Sequence, residues 1–307
     1  MTDALWTSDF TFAGRTVTVK KTGARVVVDR ATLSAFAQWF AFYLPVRAKA
    51  AAMSCLRPGP RVWFAPDVPR PWYLIWAAAA WSGARVAQSP SEADAAFYFD
   101  DVTHGRPPAP VTGRAFNYQC LDVSKSRVAA VFEDIFGYPL ALDPERHLGV
   151  AVEKGEANGV HDGHIVPCPR PRSPGRVYQR LIENIDGGHA VDLRTPFVGG
   201  RPVVVFVKRR PIEERFANHN SSVALARPEA VFSAAEIEQL SAFARAMKLD
   251  WGGLDVLRDR ASGRIYVVDV NKTDMPPIVL PWRDKLRAVS RLAAAFRELI
   301  TCEETPS

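Results

Sequence analysis

Apolar and polar positions alternate along the first part of the chain and then give way to longer apolar runs. Alternation over residues 10–12 and 17–19, followed by the valines of residues 26–28, predicts a short β-hairpin, and a helix is expected from about Thr32. Strands are predicted over residues 61–65, 83–87 and 95–99, with a helix over residues 72–81. Strand, helix and strand at these lengths predict a parallel α/β sheet.

A second section begins after the proline-rich break at residues 107–110. Ser124 is expected to cap a helix that runs to about residue 136, before Gly137. A strand over residues 148–154 leads into a glycine-bearing loop, residues 155–163, and the chain resumes as a strand over residues 177–183.

The third section is predicted to be a mixture of hairpins and helices. Strands over residues 190–198 and 202–208 flank a Gly199-Gly200 turn. Ser233 and Glu236 have the spacing of a capping box, which predicts a helix ending around Lys248. A second hairpin over residues 253–271 and a helix over residues 282–300 complete the pattern.

Three side chains with oxygen atoms lie on the two strands of that second hairpin, which are joined by Ser262-Gly263. Asp269 and Asn271 project from one face of their strand, and an antiparallel partner brings Asp255 opposite them. Asp and Asn near strand ends often only cap turns. Here they interrupt and follow an apolar run, where an unpaired buried carboxylate is costly. Magnesium prefers such oxygen ligands, so Asp255, Asp269 and Asn271 are the predicted metal ligands of a nucleotide enzyme.

Composition narrows the classes of partner. The 307 residues carry 39 Lys and Arg against 33 Asp and Glu, a formal charge of +6, and the arginines are scattered. That balance favours anionic small molecules or phosphates, and the aromatic residues are not interleaved with the arginines as in a nucleic-acid binder. The four cysteines are widely spaced and no secretory signal precedes them, so a cytoplasmic protein with reduced thiols is expected.

The aromatic segment over residues 36–44 admits two interpretations. The chain contains no run of about 18 apolar residues, which argues against a spanning helix, and this segment comes nearest to one. Its aromatic side chains, followed by Arg47 and Lys49, fit contact with a membrane interface. A helix packed in the core fits equally, and aromatic stripes at helical spacing are usually core. Pro45 is expected to divide the segment.

The order of these features over residues 60–280 resembles the ATP-grasp superfamily, most specifically in residues 253–271. Neither a G-x-x-x-x-G-K-[ST] loop nor a strand-linked G-x-G-x-x-G is present. The resemblance implies an α/β and α+β fold with an amino-terminal α/β domain (residues 1–120), a central lobe (121–186) and a carboxy-terminal lobe with the metal site (187–307). It also implies ATP and Mg²⁺ as ligands.

The resemblance carries over residue by residue. Lys154 resembles the strand-end lysine that reaches the α- and β-phosphates, and Lys125 resembles an earlier phosphate-contacting lysine. Residues 155–163, including Gly159, resemble the glycine loop that covers the phosphates, although an ordinary exposed hairpin fits them too. Gln179, Ile182 and Glu183 occupy the place of the linker that binds adenine and ribose.

Further positions match the catalytic side of the family. Arg194 resembles a strand arginine that faces the γ-phosphate or the acceptor. Lys208 and Arg215 belong to a basic loop, residues 208–218, that would lie near an anionic small-molecule acceptor. Two departures stand out: Arg180 follows Gln179 where the family has Gln-Glu, and Asp269 replaces the common Glu. Lys272 and Asp274 have no role in the common pattern and could touch the acceptor.

Three functions remain open. The first is a ligase that phosphorylates an acceptor carboxylate and joins it to an amine or another nucleophile. The second is a kinase of this fold that transfers phosphate to a hydroxyl, and the third is a non-catalytic scaffold that binds a nucleotide or a lipid headgroup. The loop histidines, His161, His164, His189 and His219, have no metal-pair spacing.

Overall fold

A computed structural model describes residues 6–20, 25–56, 59–160, 162–216 and 220–302. Its amino-terminal elements are β1 (Phe10–Ala13), β2 (Thr16–Val19), β3 (Arg25–Val27), α1 (Arg30–Leu56), β4 (Arg61–Pro66), α2 (Leu74–Ser82), β5 (Arg85–Val86), β6 (Ala95–Phe99) and β7 (Ala115–Phe116). Strands β1 to β3 form an antiparallel sheet, so the predicted hairpin has a third strand. The other strands form a parallel sheet in the order β5-β4-β6-β7, as predicted.

Helix α1 corrects the expectation that Pro45 divides the aromatic segment. The helix continues through Pro45 to Leu56. Phe42 and Val46, one helical turn apart on either side of Pro45, are buried at 1% and 0% exposure, so tertiary packing holds both halves of the helix. Phe36 and Leu44 are 48% and 55% exposed. The segment is therefore core on one side only.

The central elements are α3 (Lys125–Phe136), β8 (Gly149–Gly155), β9 (His164–Cys168) and β10 (Arg176–Arg180). The Ser124 side chain accepts a hydrogen bond from the Arg127 amide, and Gly137 ends α3 at φ 76°, as the sequence predicted. Strand β9 was missed because Pro167 and Pro169 suggested a loop. It lies at the edge of the antiparallel sheet β10-β8-β9, where proline is tolerated.

The carboxy-terminal elements are β11 (Ile185–Asp186), β12 (His189–Val198), β13 (Arg201–Pro202), β14 (Val205–Pro211), β15 (Ser222–Ala226), α4 (Ala234–Ala246), β16 (Trp251–Arg258), β17 (Ile265–Asn271) and α5 (Trp282–Thr301). An antiparallel sheet runs in the order β15-β14-β12-β16-β17. The turn between β12 and β13 is made by Gly199 and Gly200, both at positive φ, as a tight hairpin turn requires. The capping box of Ser233 and Glu236 opens α4.

Two cores join distant parts of the chain. Helix α5 packs its Phe296 ring 5.4 Å from Phe97 of β6, in one core with the amino-terminal sheet. Helix α3 lies in a second core with α4 and the carboxy-terminal sheet, and Phe132 stacks 5.5 Å from Tyr266. The domain boundaries at residues 120 and 186 stay predictions. No helix in the described part of the chain is both long and apolar enough to cross a membrane.

Candidate nucleotide and metal site

A cleft of about 870 Å³ is lined by the sheet β10-β8-β9 and the carboxy-terminal sheet, and also by Ala35, Tyr73 and Asp101 from the amino-terminal part of the chain. The structure brings most of the predicted site residues to this one cleft: Lys125, Lys154, Gly159, Gln179, Ile182, Arg194, Lys208, Arg215, Asp255, Asp269 and Asn271. The volume falls within the range of small-molecule sites.

The hairpin β16-β17 has the predicted register. Asp255 lies directly opposite Asp269, and Asn271 lies opposite Gly253. Burial opposes ionisation of Asp255, but the positive charges of Arg194 and Lys208 outweigh it and lower its pKa to about 2. Asp255 Oδ1 is buried and has no hydrogen-bond partner among the described residues. The Lys208 ammonium is 3.9 Å from it.

The other two predicted ligands already have partners. Asp269 Oδ1 accepts a hydrogen bond from Lys125 Nζ at 2.5 Å, and Asn271 Oδ1 accepts one from the Thr273 amide at 2.9 Å. In the described residues no group of three or more His, Cys, Asp or Glu side chains is arranged around a metal position. The predicted ligands are the carboxylates of Asp255 and Asp269 and the amide of Asn271. They do not form such a group, because Asn is not one of those four residue types, but their oxygens are the kind that Mg²⁺ prefers. Asp255 Oδ1 has the Lys208 ammonium at 3.9 Å but no hydrogen bond among the described residues, so it remains able to contact a cation.

Arg194 of β12 lies between two carboxylates. Its Nη1 donates to Asp255 Oδ2 at 2.6 Å, while Nε and Nη2 donate to Asp274 Oδ1 at 2.9 and 2.6 Å. Burial lowers the pKa of Arg194, and the two carboxylates raise it by more, so it stays charged. Asp274 is 1% exposed. Asp274 therefore holds Arg194 from the buried side, which differs from the expected contact with the acceptor.

Lys272, the other residue without a role in the family pattern, is also buried. It is 3% exposed, and its ammonium lies 5.1 Å from the Tyr98 ring centroid. Its Nζ has no hydrogen-bond partner in the described part of the chain, and burial lowers its pKa. Lys272 does not line the cleft.

Lys125, Lys154 and the glycine loop that follows β8 contact the hairpin β16-β17, which we call the metal hairpin after its predicted ligands. Lys154 Nζ donates to the Val268 carbonyl at 3.3 Å, and burial lowers the pKa of Lys154 to about 8. In the loop, Asn158 Nδ2 donates to the Val270 carbonyl at 3.2 Å. Gly159 has a φ of 75°, which favours glycine. The loop thus connects β8 and β9 and also reaches β17.

The linker after β10 forms the far end of the cleft. Strand β10 ends at Arg180, earlier than the predicted strand, and the Ile182 carbonyl accepts a hydrogen bond from Arg215 Nη2 at 2.9 Å. Gln179 is 2% exposed, and its Nε2 lacks a hydrogen-bond partner within the described chain. The linker end of the cleft therefore presents polar atoms of Gln179 and of the backbone at Ile182.

Glu183 is separate from the other predicted residues. It lines a smaller pocket of about 330 Å³ behind the linker, and its amide donates to Asp259 Oδ1 at 3.3 Å. Asp192 lines the large cleft instead, together with Asn184. Burial raises the pKa of Asp192, and Arg210, with Nη2 at 2.5 Å, opposes that shift.

Sequence reasoning missed several lining residues. Asp192 gave a weak signal, because it alternates on β12 with Arg194, which was predicted. Lys208 and Arg210 were expected in a basic loop, but both lie at alternating positions on β14, which extends to Pro211. Asn184 gave no signal because it follows an irregular turn. Of the histidines, His164 lies 3.8 Å from Glu153 and His189 Nδ1 lies 3.0 Å from the Gly187 carbonyl, both outside the cleft. His161, Asn218 and His219 lie outside the described residues.

Comparison with known proteins gives structural matches alone. No family model matches the sequence, and a search of curated proteins gives no match. The ATP-grasp ligase PsnB, in complex with precursor peptide PsnA2 and AMPPNP, matches with a TM-score of 0.48 and 13% identity, covering 80% of this chain and 98% of its own. An ATP-grasp RimK domain protein from Sphaerobacter thermophilus matches with a TM-score of 0.46 and 13% identity, covering 78% and 99%.

A third structure is the macrocyclase MdnC from Microcystis aeruginosa, bound with precursor peptide MdnA. It has a TM-score of 0.44 and 10% identity and covers 75% of this chain and 99% of its own. At this level of likeness, the chemistry of the cleft is argued from its own residues alone. The expected mixed α/β fold class is confirmed by the helices and sheets of the structure itself. The matched structures are ATP-grasp proteins, the superfamily that the sequence resembles.

Proposed function

We propose that the cleft binds Mg-ATP and that the protein uses it to phosphorylate an acceptor carboxylate, which is then ligated to an amine or another nucleophile. The observation that carries the proposal is the pairing of Asp255 and Asp269 across the hairpin, with one buried Asp255 oxygen lacking a hydrogen-bond partner among the described residues. A buried carboxylate oxygen without a hydrogen bond is costly, and a bound cation would contact it more closely than the Lys208 ammonium at 3.9 Å does.

Asp255, Asp269 and Asn271 would hold Mg²⁺, which supplies neutralisation of the β- and γ-phosphate charge. Lys125 and Arg194 now occupy the same carboxylates and would turn toward phosphate oxygens. Lys154 lines the same cleft, so its ammonium adds to the positive charge facing the phosphates. Cations that face the phosphates in this way stabilise the charge that develops during transfer.

The linker end suits the nucleoside. The backbone around Ile182 and the side chain of Gln179 offer hydrogen bonds to the base edge, and Arg215 fixes the Ile182 carbonyl. Asp192 replaces Glu183 as the proposed partner of the ribose hydroxyls, because Asp192 lines the cleft and Glu183 does not.

The proposed reaction has two steps. An acceptor carboxylate oxygen attacks the γ-phosphorus, the bond from that phosphorus to the bridging oxygen breaks, and ADP leaves. The amine nitrogen then attacks the carbonyl carbon of the acyl phosphate, the carbon–oxygen bond to phosphate breaks, and the amine loses a proton. The products are an amide, ADP and inorganic phosphate. A kinase would retain the phosphate on its acceptor, so phosphate release separates the two reactions.

The first test is calorimetric binding of AMPPNP with and without Mg²⁺. We expect Mg²⁺ to strengthen binding to the wild type, and Asp269→Ala to weaken the Mg²⁺-dependent binding by about tenfold to hundredfold, the usual cost of a lost charged contact. Asp269→Asn keeps the volume and should behave alike. Asp134→Ala, an exposed carboxylate on α3, is the matched control and should bind as the wild type does.

Equal AMPPNP affinity of the wild type with and without Mg²⁺ would contradict the metal assignment. Mg²⁺-dependent binding without ADP formation from ATP, over a panel of carboxylates and amines, would favour the non-catalytic scaffold instead.

A further inference from the structure

The cleft continues beyond the metal hairpin into a section with apolar lining. Its lining there consists of Ala35 of α1, Tyr73 before α2, and the segment Met275, Pro276, Pro277, Ile278 and Val279 after β17. We call this set the acceptor wall. Every member is apolar or aromatic, whereas the rest of the cleft mixes charged side chains with apolar ones such as Val152, Leu181 and Phe216.

Contacts place the acceptor wall opposite the linker end. Asn271 Oδ1 accepts hydrogen bonds from Thr273, and Thr273 Oγ1 donates to Asp101 Oδ1 at 2.7 Å. The Leu74 amide, next to Tyr73, donates to the Asp274 carbonyl at 2.8 Å. The wall therefore begins where the metal hairpin ends. The strand register places Asp192 on one side of the Arg194–Asp255 pair and Asn271 on the other. Arg215, which bonds to the Ile182 carbonyl, belongs to the Asp192 end of the cleft.

The segment after β17 presents apolar side chains to solvent although its backbone is anchored. Lys285, 4% exposed on α5, donates from Nζ to the Ile278 carbonyl at 2.6 Å, and Leu280 is buried at 1%. With the backbone held from behind, Met275 and Ile278 remain 55% and 60% exposed. Apolar groups exposed beside a polar cleft are a favourable surface for an apolar ligand group.

The distribution of charge agrees with this reading. The cationic side chains Lys208, Arg210 and Arg215 line the cleft together with the linker residues, and Arg215 and Arg210 contact Ile182 and Asp192 there. Asp101 lies next to the acceptor wall, and its negative charge disfavours a polyanionic acceptor body. A single carboxylate can instead reach the cations around the metal hairpin while the rest of the acceptor stays on the wall.

We propose that the acceptor is a carboxylic acid with an apolar chain, which lies along the acceptor wall while its carboxylate faces the phosphate site. This proposal rests on the proposed Mg-ATP-dependent activation of a carboxylate. The chain loses water against Ile278, Val279, Met275 and Tyr73, so affinity grows with the number of methylene groups that the wall covers.

The test compares acetate, hexanoate and decanoate in two measurements on the full chain. Calorimetry measures binding of each acid in the presence of Mg²⁺ and AMPPNP. Turnover is followed with Mg-ATP and hydroxylamine, which attacks the acyl phosphate to give a hydroxamate, phosphate and a proton. We expect affinity and kcat/KM to rise by about fourfold for each methylene covered by the wall. Ile278→Asp should remove most of that gain and leave AMPPNP affinity unchanged.

The matched control is Leu148→Asp, which adds the same charge at a residue that is 81% exposed and outside the cleft. It should leave the chain-length dependence intact. Equal affinity and turnover for all three acids, with AMPPNP still bound, would overturn the apolar acceptor without touching the nucleotide site. Decylamine binding better than decanoate would overturn the carboxylic acid assignment. Chain-length-dependent binding without hydroxamate would support the wall and refute the ligase.

Discussion

Single residues in the cleft owe their chemistry to partners that are distant along the chain. Lys125 meets Asp269 across 144 positions, and Arg194 meets Asp274 across 80. The sequence identified each of these charges, but pairing between such distant residues follows from packing. Asp274 shows the consequence, since its position after β17 suggested an acceptor contact while burial placed it beneath Arg194.

The charge of Lys154 depends on its surroundings in the same way. Burial lowers its pKa to about 8, so its ammonium is present at pH 7 and largely lost at pH 9. We therefore expect AMPPNP affinity to fall between pH 7 and pH 9, because neutral Lys154 no longer attracts phosphate. Calorimetry at both pH values measures the fall.

Lys154→Met is the diagnostic variant for that pH dependence. It should bind about tenfold to hundredfold more weakly at pH 7 and show a flatter pH profile. A variant profile as steep as that of the wild type would assign the pH dependence to another group.

At the scale of secondary structure elements, local sequence patterns correctly predicted helix caps, a turn and a strand register. The caps at Ser124 and Ser233, the Gly199-Gly200 turn and the register of the metal hairpin depend on residues a few positions apart, or on strict alternation. Prediction failed where neighbours decide the conformation. Prolines suggested a loop at β9, but this strand lies at the edge of its sheet, where proline is tolerated. Pro45 suggested a break in α1, but buried residues on both sides of it hold the helix together.

The metal hairpin also depends on a glycine that has an ordinary backbone conformation. A Cβ on Gly253 would lie 2.8 Å from Arg194 Nε, and it would also overlap the Asp274 carboxylate. Gly253→Ala should therefore displace Arg194 and reduce phosphate transfer by at least about tenfold, as expected when a catalytic group is misplaced.

Gly113→Ala is the matched control for that substitution, since nothing lies within 4 Å of its added Cβ. Initial rates of ADP formation give the comparison, and thermal unfolding shows whether both variants fold. A fully active Gly253→Ala variant would mean that Arg194 needs no such close approach.

At the scale of the whole molecule, Asn117 joins the amino-terminal sheet to the carboxy-terminal one. It is 2% exposed, its Nδ2 donates to the Trp251 carbonyl, and its Oδ1 accepts from the amides of Asp250 and Trp251. Its φ is 60°, a region in which Asn is tolerated and alanine is strained. The connection fixes β16, which carries Asp255.

Two substitutions separate the hydrogen bonds of Asn117 from its backbone strain. Asn117→Gly should lower the free energy of unfolding by about 3 kcal/mol, because buried backbone groups lose their partners. Asn117→Ala should cost about 1 kcal/mol more, since alanine disfavours positive φ. Urea unfolding measures both. Equal losses would exclude backbone strain, and a wild-type value for Asn117→Gly would exclude the hydrogen bonds.

The sequence by itself determined the parallel amino-terminal sheet, the capped helices and the hairpin that sets Asp255 opposite Asp269, because each follows from periodicity or from contacts between near neighbours. Only the tertiary structure decided that α5 shares a core with the amino-terminal sheet, that Asp192 lines the cleft while Glu183 lies behind the linker, and that the acceptor wall combines α1 with the segment after β17. These arrangements depend on packing between elements that are far apart in the chain, and local sequence patterns do not predict which distant elements pack together.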